Sequence, residues 1–396
     1  MHTRNTIFTR DFISSFLVYF LFLAAIYSLT PTLPIYLASL GSNEKEIGVL
    51  IGIIALATLV SRLFVGYALL KFSSRSVIAA GTLIAAITFL GYIAFHTFWP
   101  LLVIRFLQGV TMACIDTAVL SSVIAVVPLT YRTRALAYLM LAFSIATAVS
   151  APFAMFVTNS YSYNVLFVSG AVLCICSLLL SWKVGGKTTM ITQTEAPIEP
   201  AHLFNPKIIT PGISAFLQFF VWGAVVAFFP LYAVKCGVKN PGYFFSAMAM
   251  MMILGRLSGG RVMDTCNKEK FILAFLPSMM VILIILSLSK SLPMFILVGA
   301  LWGAGASFFV PMIMSYALEY SGSTDGTAVG TFRALQDLGM AVGPVVVGTM
   351  ISFTGYRLMF LSLAVICLLN VCYFQLYVRR KNHTRIVENI SRPESR

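Results

Sequence analysis

The sequence predicts an all-α integral membrane protein with twelve transmembrane helices in two pseudo-symmetric six-helix bundles. Three observations carry that prediction. The 396 residues are 59% hydrophobic and only 10% charged, with a mean hydropathy of +0.92. A soluble chain carries about 25% charged residues, so this one cannot cover itself with polar groups and its solvent is largely lipid. Apolar runs recur at the length of about 20 residues that a bilayer asks of a helix. The strands of a membrane β-barrel would run to about 10 residues with strict alternation. The chain also repeats itself. Pro34-Ile35-Tyr36 with Gly41 returns as Pro230-Leu231-Tyr232 with Gly237. Arg62-Leu63 with Gly66 returns as Arg256-Leu257 with Gly260, and Ala151-Pro152 as Gly343-Pro344. Tyr163, Phe167, Ser169 and Ala171-Val172 return as Tyr356, Phe360, Ser362 and Ala364-Val365, and the offset stays between 192 and 196 residues throughout. Two sister halves predict two bundles facing each other across a cavity.

The first six runs are 12–33, 45–69, 76–95, 100–127, 134–157 and 163–182. The first is too long, and too poorly matched to a small-residue cleavage site, for a removable signal peptide, and reads as the first helix. The longest polar stretch, Lys183 to Lys207, follows. With Gly185-Gly186, a Thr-rich run and Pro197, Pro200 and Pro206 it reads as a flexible linker. The last six runs are 209–232, 242–263, 270–288, 293–318, 327–351 and 356–378. The expected organisation is an N-terminal bundle (1–182), a cytoplasmic linker (183–207) and a C-terminal bundle with a basic cytoplasmic tail (208–396). The remaining connections are short, which makes neighbouring helices antiparallel and each half compact. Prolines inside the runs (Pro31, Pro34, Pro128, Pro152, Pro230, Pro277, Pro311, Pro344) each remove a backbone donor and bend a helix.

The net charge of +14 invites a nucleic-acid reading, but its distribution excludes one. With a cytoplasmic N-terminus, roughly 21 of the 27 Lys and Arg fall in or beside cytoplasmic segments, while Lys45, Lys235, Lys239, Lys290 and Arg357 face the other side. That is the positive-inside bias of a multi-pass protein, and no segment is long enough for a soluble basic domain. Seven cysteines, mostly within runs, lack any metal-ligand spacing. No phosphate-binding loop, HExxH or G-x-S-x-G is present, so neither an ATP-driven pump nor an enzyme is expected, and no cofactor or metal.

Charges inside the runs point to function, because a lone charge at the bilayer centre costs at least about 2.5–3.5 kcal/mol. Arg105 and Asp116 share the fourth run, 11 residues apart, which puts them on one helix face about 16 Å apart along the axis. Gln108 lies on the same side. The stripe reads as the wall of a wet cavity: Asp116 able to take and release a proton, Arg105 able to hold a substrate carboxylate or tune that proton exchange. A static network of Arg105 with a carboxylate or backbone carbonyls is the bland alternative. In the eleventh run Arg333 and Asp337 are one turn apart, the spacing of an i,i+4 pair, with Asp337 a second coupling candidate. Glu319 and Asp325 read as solvated loop charges. Tyr19, Tyr27, Phe219, Trp222 and Trp302 lie inside runs and are candidate cavity walls, or ordinary packing.

Several stretches together resemble signatures of the major facilitator superfamily. Gly260-x3-Asp264 among basic residues, after the eighth run, is similar to that family's signature loop. The matching first-half stretch carries Arg62, Gly66, Lys71 and Arg75, but has Leu70 in place of the Asp and Ser73 in place of the second Gly. Arg105-Phe106-Leu107-Gln108-Gly109 resembles the second signature. Gly339-x3-Gly343-Pro344-x3-Gly348 resembles the Gly-Pro antiporter motif, placed in run eleven, while Ala151-Pro152-Phe153-Ala154 in run five is a weakened version. Such a glycine stripe allows close helix contact. The resemblance spans nearly the whole chain. It implies a gating role for Asp264, with Arg256 and Arg261 as partners, and for Arg62 and Gly66. It also implies rocking of two bundles about a midplane site, and a monomer as the working unit.

The function expected is secondary active transport of a small organic molecule across the cytoplasmic membrane, with proton-coupled efflux as the first form. Proton-coupled uptake of a sugar, organic acid or amino acid is the alternative. The partners expected are that small molecule, protons and membrane lipid, with no nucleic acid.

Overall fold

The computed structural model describes residues 9–128, 131–184, 205–258, 267–322 and 326–379, and every long element in them is helical. In order they are α1 (Arg10–Ser39), α2 (Glu44–Lys71), α3 (Ser74–Ala94), α4 (Phe98–Val126), α5 (Arg132–Ser160), α6 (Tyr163–Ser181), α7 (Pro206–Lys235), α8 (Gly242–Ser258), α9 (Lys268–Leu288), α10 (Leu292–Ser321) and α11 (Gly326–Tyr373). A short π-helical turn, Phe374–Arg379, follows. Local sequence sets most starts. Thr9, Ser73 and Ser162 accept hydrogen bonds from the first turns of α1, α3 and α6. Asn43 and Glu46 form a reciprocal capping box on α2. Gly41 and Gly237, repeat partners, both take a positive φ (87° and 83°) just past α1 and α7, which spares the chain the penalty a Cβ would bring.

Ten described helices are long and apolar enough to cross a bilayer, and Gly242–Leu257 is a shorter apolar one. The sequence predicts runs 327–351 and 356–378 as separate spans; here they form one helical segment, Thr327–Val378, of 52 residues. At 1.5 Å per residue it would measure about 78 Å unbroken, far beyond a hydrocarbon core of about 30 Å. Gly355, at φ 73° and ψ 172°, turns the chain between its two arms. Large apolar side chains cover the outside: Trp99 is 73% exposed and Phe353 91%. The protein is thus an all-α, membrane-spanning helical bundle.

Packing repeats as the sequence does. Within α1–α6, α2 packs on α4, α3 on α4 and α6, and α1 on α5 and α6. Within α7–α11, α8 packs on α10, α9 on α10 and α11, and α7 on α11. Repeated residues also make the same contacts. The Tyr36 hydroxyl donates to Tyr92 O (3.1 Å) and the Tyr232 hydroxyl to Ser289 O (2.7 Å). Tyr36 meets Tyr163 and Phe167 at ring distances of 4.9 and 5.0 Å; Tyr232 meets Tyr356 and Phe360 at 6.2 and 5.2 Å. Between the two repeats, α2 lies along α11 and α5 along α8.

Candidate functional site

The site grows out of these two seams. The face where α1 begins is here the near face, and the face where it ends the far face. Toward the far face the seams close at backbone contact. A Cβ on Gly48 would lie 2.2 Å from Pro344 O, and one on Gly52 2.3 Å from Ala341 O. In the sister seam a Cβ on Gly242 would lie 2.5 Å from Ala151 O. Gly48 and Gly242 are 194 residues apart, the spacing of the repeat, and each abuts the carbonyl of a Pro344 or Ala151-Pro152 element. Asn240 Nδ2 to Pro152 O (3.1 Å), Ser246 Oγ to Ala148 O (2.7 Å) and Asn159 Nδ2 to Lys239 O (2.8 Å) add hydrogen bonds on the α5–α8 side.

Toward the near face the same seams carry charge. Arg62 stands nine residues before the end of α2, Asp116 ten before the end of α4, and Asp337 eleven after the start of α11. At 1.5 Å per residue all three lie about 13–17 Å from their near-face ends, at one depth. There Arg62 Nη1 approaches Asp337 Oδ2 at 2.9 Å and Arg62 Nη2 approaches Asp116 Oδ2 at 3.7 Å. The Tyr19 hydroxyl donates to Asp116 Oδ1 at 3.1 Å. The guanidinium therefore bridges a carboxylate of its own repeat and one of the other. Despite the 2.9 Å approach, Asp337 Oδ2 has no aligned hydrogen bond among the described residues, so the attraction is mainly Coulombic. A unit pair at about 4 Å and an effective dielectric of about 20 attracts by about 4 kcal/mol, much of it offset by desolvation. The side chains are 30% (Arg62), 27% (Asp116) and 20% (Asp337) exposed although they lie inside the bundle.

Arg333 completes the group. The sequence expectation of an Arg333–Asp337 pair is not met, because the tertiary partner Arg62 takes Asp337 and no ion pair joins Arg333 to it among the described residues. Arg333 is exposed and lies within electrostatic range of Asp337, Asp116 and Arg62. Two carboxylates and two guanidiniums thus gather at one level with balanced charge.

Arg105 and Gln108 lie elsewhere. Arg105 is only 6% exposed. Its Nε donates to Leu50 O (2.7 Å) and its Nη1 to Gln108 Oε1 (3.0 Å), which also accepts from the Tyr92 hydroxyl (2.8 Å). This knits α2, α3 and α4 together toward the far face, and no ion pair joins Arg105 to Asp116 among the described residues. Of the aromatics, Tyr27 meets Phe143 edge to face at 5.0 Å, and Tyr19 reaches Asp116. Trp222 and Phe219 are half-buried. Trp302, 2% exposed, backs Trp222 at 5.4 Å within the core rather than facing a cavity.

The gating residues divide. Arg256 crosses from α8 to α5, its Nη1 donating to Met140 O and Ser144 Oγ, both at 2.8 Å. Arg62, its repeat partner, belongs to the charged cluster. Gly66 is exposed, and a Cβ there would meet nothing within 4 Å. Gly260, Arg261 and Asp264 lie outside the described residues, as does Asp325. Glu319 is 62% exposed, as expected of a solvated charge, but sits on α10 and not in a loop, and it pairs with Lys268. In the glycine stripe, a Cβ on Gly339 or Gly343 would lie 2.3 or 2.1 Å from Phe216 O or Phe220 O of α7, and one on Gly348 2.5 Å from Glu44 O of α2. Two features escaped the sequence reading: Ser144 as a partner of Arg256, and the Gly48/Gly242 pair, whose 194-residue spacing was its signal.

Comparison with known proteins agrees with this architecture. The family model described as Major Facilitator Superfamily matches residues 15–321 and 260–394. The staphylopine export protein of Staphylococcus aureus (strain Mu50 / ATCC 700699) is 22% identical over 369 residues, covering 88% of this chain and 91% of that protein. The quinolone resistance protein NorA of the same organism is 21% identical over 346 residues, covering 86% and 89%. Among solved structures, the nucleoside transporter NupG superposes with a TM-score of 0.75 at 14% identity, over 93% of this chain and 99% of that one. The human organic anion transporter MFSD10 (TETRAN) gives 0.66 at 16%, over 92% and 98%. At such identities the structures speak to fold alone.

Proposed function

The chain belongs to the major facilitator superfamily, whose members are membrane transporters and not enzymes, and from that premise we propose that it is a proton-coupled exporter of a small organic molecule. In this reading twelve spans form two six-helix bundles (1–182 and 208–396) joined by a cytoplasmic linker (183–207). Both termini are cytoplasmic, the near face is the cytoplasmic face, and the monomer is the working unit. The bundles rock about a site at mid-depth. Export as the direction draws support from the two curated relatives, named for staphylopine export and quinolone resistance. Uptake by symport is the second reading, favoured by the weakened Gly-Pro motif at Ala151-Pro152.

One observation carries the proposal: Asp116 and Asp337, from different repeats, converge on Arg62 at one depth. Titratable groups held between two moving bodies can couple their protonation to the movement, since a ligand shifts a two-state equilibrium by its differential affinity for the states. Asp116 is the protonation site, steadied by Tyr19. Asp337 is the second, and Arg62 and Arg333 supply the cations that cargo groups exchange with. Arg105 and Gln108 hold α2–α4 in register behind the site. Phe219, Trp222 and Tyr27 form the apolar wall.

The test is transport in inverted vesicles energised by an imposed pH gradient, using a dye substrate found by screening. Asp116→Asn should abolish the dependence of transport on the gradient while leaving the fold intact. Unchanged pH dependence would remove Asp116 from the mechanism. Reversing the gradient separates the two directions: efflux by exchange requires protons to enter as cargo leaves, and symport requires both to move together.

A further inference from the structure

We infer that the two sister arginines tether the repeats by different chemistry: Arg62 makes a proton-sensitive tether on the α2–α11 seam and Arg256 a proton-insensitive one on the α5–α8 seam, so that protonation loosens only the first. The inference rests on the proposed proton coupling and names the residue through which it acts.

Arg62 and Arg256 occupy equivalent places in the two repeats, 194 residues apart. Each reaches out of its own repeat into the other. Among the described residues their partners differ in kind. Arg62 meets the Asp337 carboxylate across the seam at 2.9 Å and the Asp116 carboxylate within its own repeat at 3.7 Å. Arg256 meets a backbone carbonyl, Met140 O, and a hydroxyl, Ser144 Oγ, each at 2.8 Å. A carboxylate takes up a proton in the mildly acidic range when its surroundings favour the neutral form, whereas a carbonyl and an alcohol do not. A proton arriving on Asp337 cancels its charge, so the one ionic link that crosses the α2–α11 seam at this level among the described residues is lost. The guanidinium stays paired with Asp116, with no second proton and no other bond change required.

The charged environment supports this exchange. Asp337 is faced by Arg62 from α2, Asp116 from α4 and Arg333 from its own helix. Asp116 is faced by Tyr19 from α1, Arg62 and Arg333. On α7, the other long neighbour of α11, no ionisable side chain occurs between Lys207 and Tyr232. On α9 none occurs beyond Lys268, Glu269 and Lys270 at its near end, and on α10 Glu319 already pairs with Lys268. Around Arg256, no carboxylate pairs with it among the described residues.

The test measures each seam separately in the full-length protein in lipid nanodiscs, with native cysteines replaced. Spin labels at Leu70→Cys and Gly330→Cys report the near-face end of the α2–α11 seam; labels at Arg134→Cys and Leu257→Cys report that of α5–α8. On going from mildly alkaline to mildly acidic pH, the first distance distribution should shift to longer values and the second should stay in place. Asp337→Asn should give the long α2–α11 distance already at alkaline pH and remove its pH response. The inference is overturned if both seams shift together, if neither shifts, or if the α5–α8 seam alone responds. Should Asp337→Asn fail to fold, the pH series on the two label pairs decides by itself. Gradient-driven transport is read independently, so transport that persists while the seams move in concert sinks this inference and leaves the proton-coupled reading standing.

Discussion

Replacing Gly48 by alanine perturbs the far-face closure at its tightest point. The new Cβ would sit 2.2 Å from Pro344 O and 3.0 Å from Pro344 C. Carbon–oxygen contacts settle at about 3.3–3.6 Å even when attractive, so α2 and α11 must separate there by about 1 Å. The obstructing atoms are backbone and cannot rotate away. Overpacking of this kind costs about 1–3 kcal/mol. Only the conformation with this seam shut bears the cost. The equilibrium between far-closed and far-open forms therefore moves by about 5–150-fold toward the open one, the factor that about 1–3 kcal/mol represents. The assay is the rate of maleimide labelling at Ile47→Cys, a position only 1% exposed beside the seam. Gly48→Ala should raise that rate. So should Gly242→Ala in the sister seam, where the Cβ would lie 2.5 Å from Ala151 O, because that seam closes the other side of the far face. Unchanged labelling in well-folded, monodisperse variants would refute the reasoning, since it would mean the seams do not govern access from the far face.

Two further predictions concern the framework. Arg105→Ala should lower the thermal-unfolding midpoint, because it removes two buried guanidinium hydrogen bonds, to Leu50 O and Gln108 Oε1, each worth about 1.5–3 kcal/mol; a normal midpoint with altered pH dependence of transport would instead put Arg105 in the coupling machinery. Tyr36→Phe and Tyr232→Phe each remove one hydroxyl bond to a backbone carbonyl, so each should destabilise by about 0.5–1.5 kcal/mol and by similar amounts, read by thermal melts in detergent. A large effect in one repeat and none in the other would count against structural equivalence of the two tyrosines.

Much of the architecture was legible because lipid imposes simple rules. Long apolar runs must be helices when no water can satisfy the backbone, and the repeated Tyr36/Tyr232 and Phe167/Phe360 pairs imply equivalent packing in the two halves. Asp116 and Asp337 stood out because charge in an apolar run is expensive. What stayed hidden was partnership. Arg62 and Asp337 are 275 residues apart, and their meeting depends on the register of α2 against α11, which a single sequence does not express. Helix geometry alone favours Arg333 for Asp337; the tertiary contact with Arg62 overrides it. The 11-residue spacing of Arg105 and Asp116 was read along one helix, whereas the Leu50 carbonyl of a neighbouring helix captures the guanidinium. The double span of α11 was divided at the right place, but the chain passes Gly355 without leaving helical geometry for more than that residue.

The central claim is that the charged cluster is reached from one face at a time. Met112 lies one helical turn from Asp116 on α4, and Met112→Cys places a thiol beside the cluster. Its labelling by a membrane-impermeant maleimide, added separately to each side of sealed, oriented vesicles, tests the claim most directly. The thiol should react from the near face in the otherwise unaltered protein and from the far face once Gly48→Ala and Gly242→Ala are introduced. Reaction from neither face in both backgrounds, or a balance between the two faces that the Gly48→Ala and Gly242→Ala pair leaves unchanged, would contradict alternating access to this site.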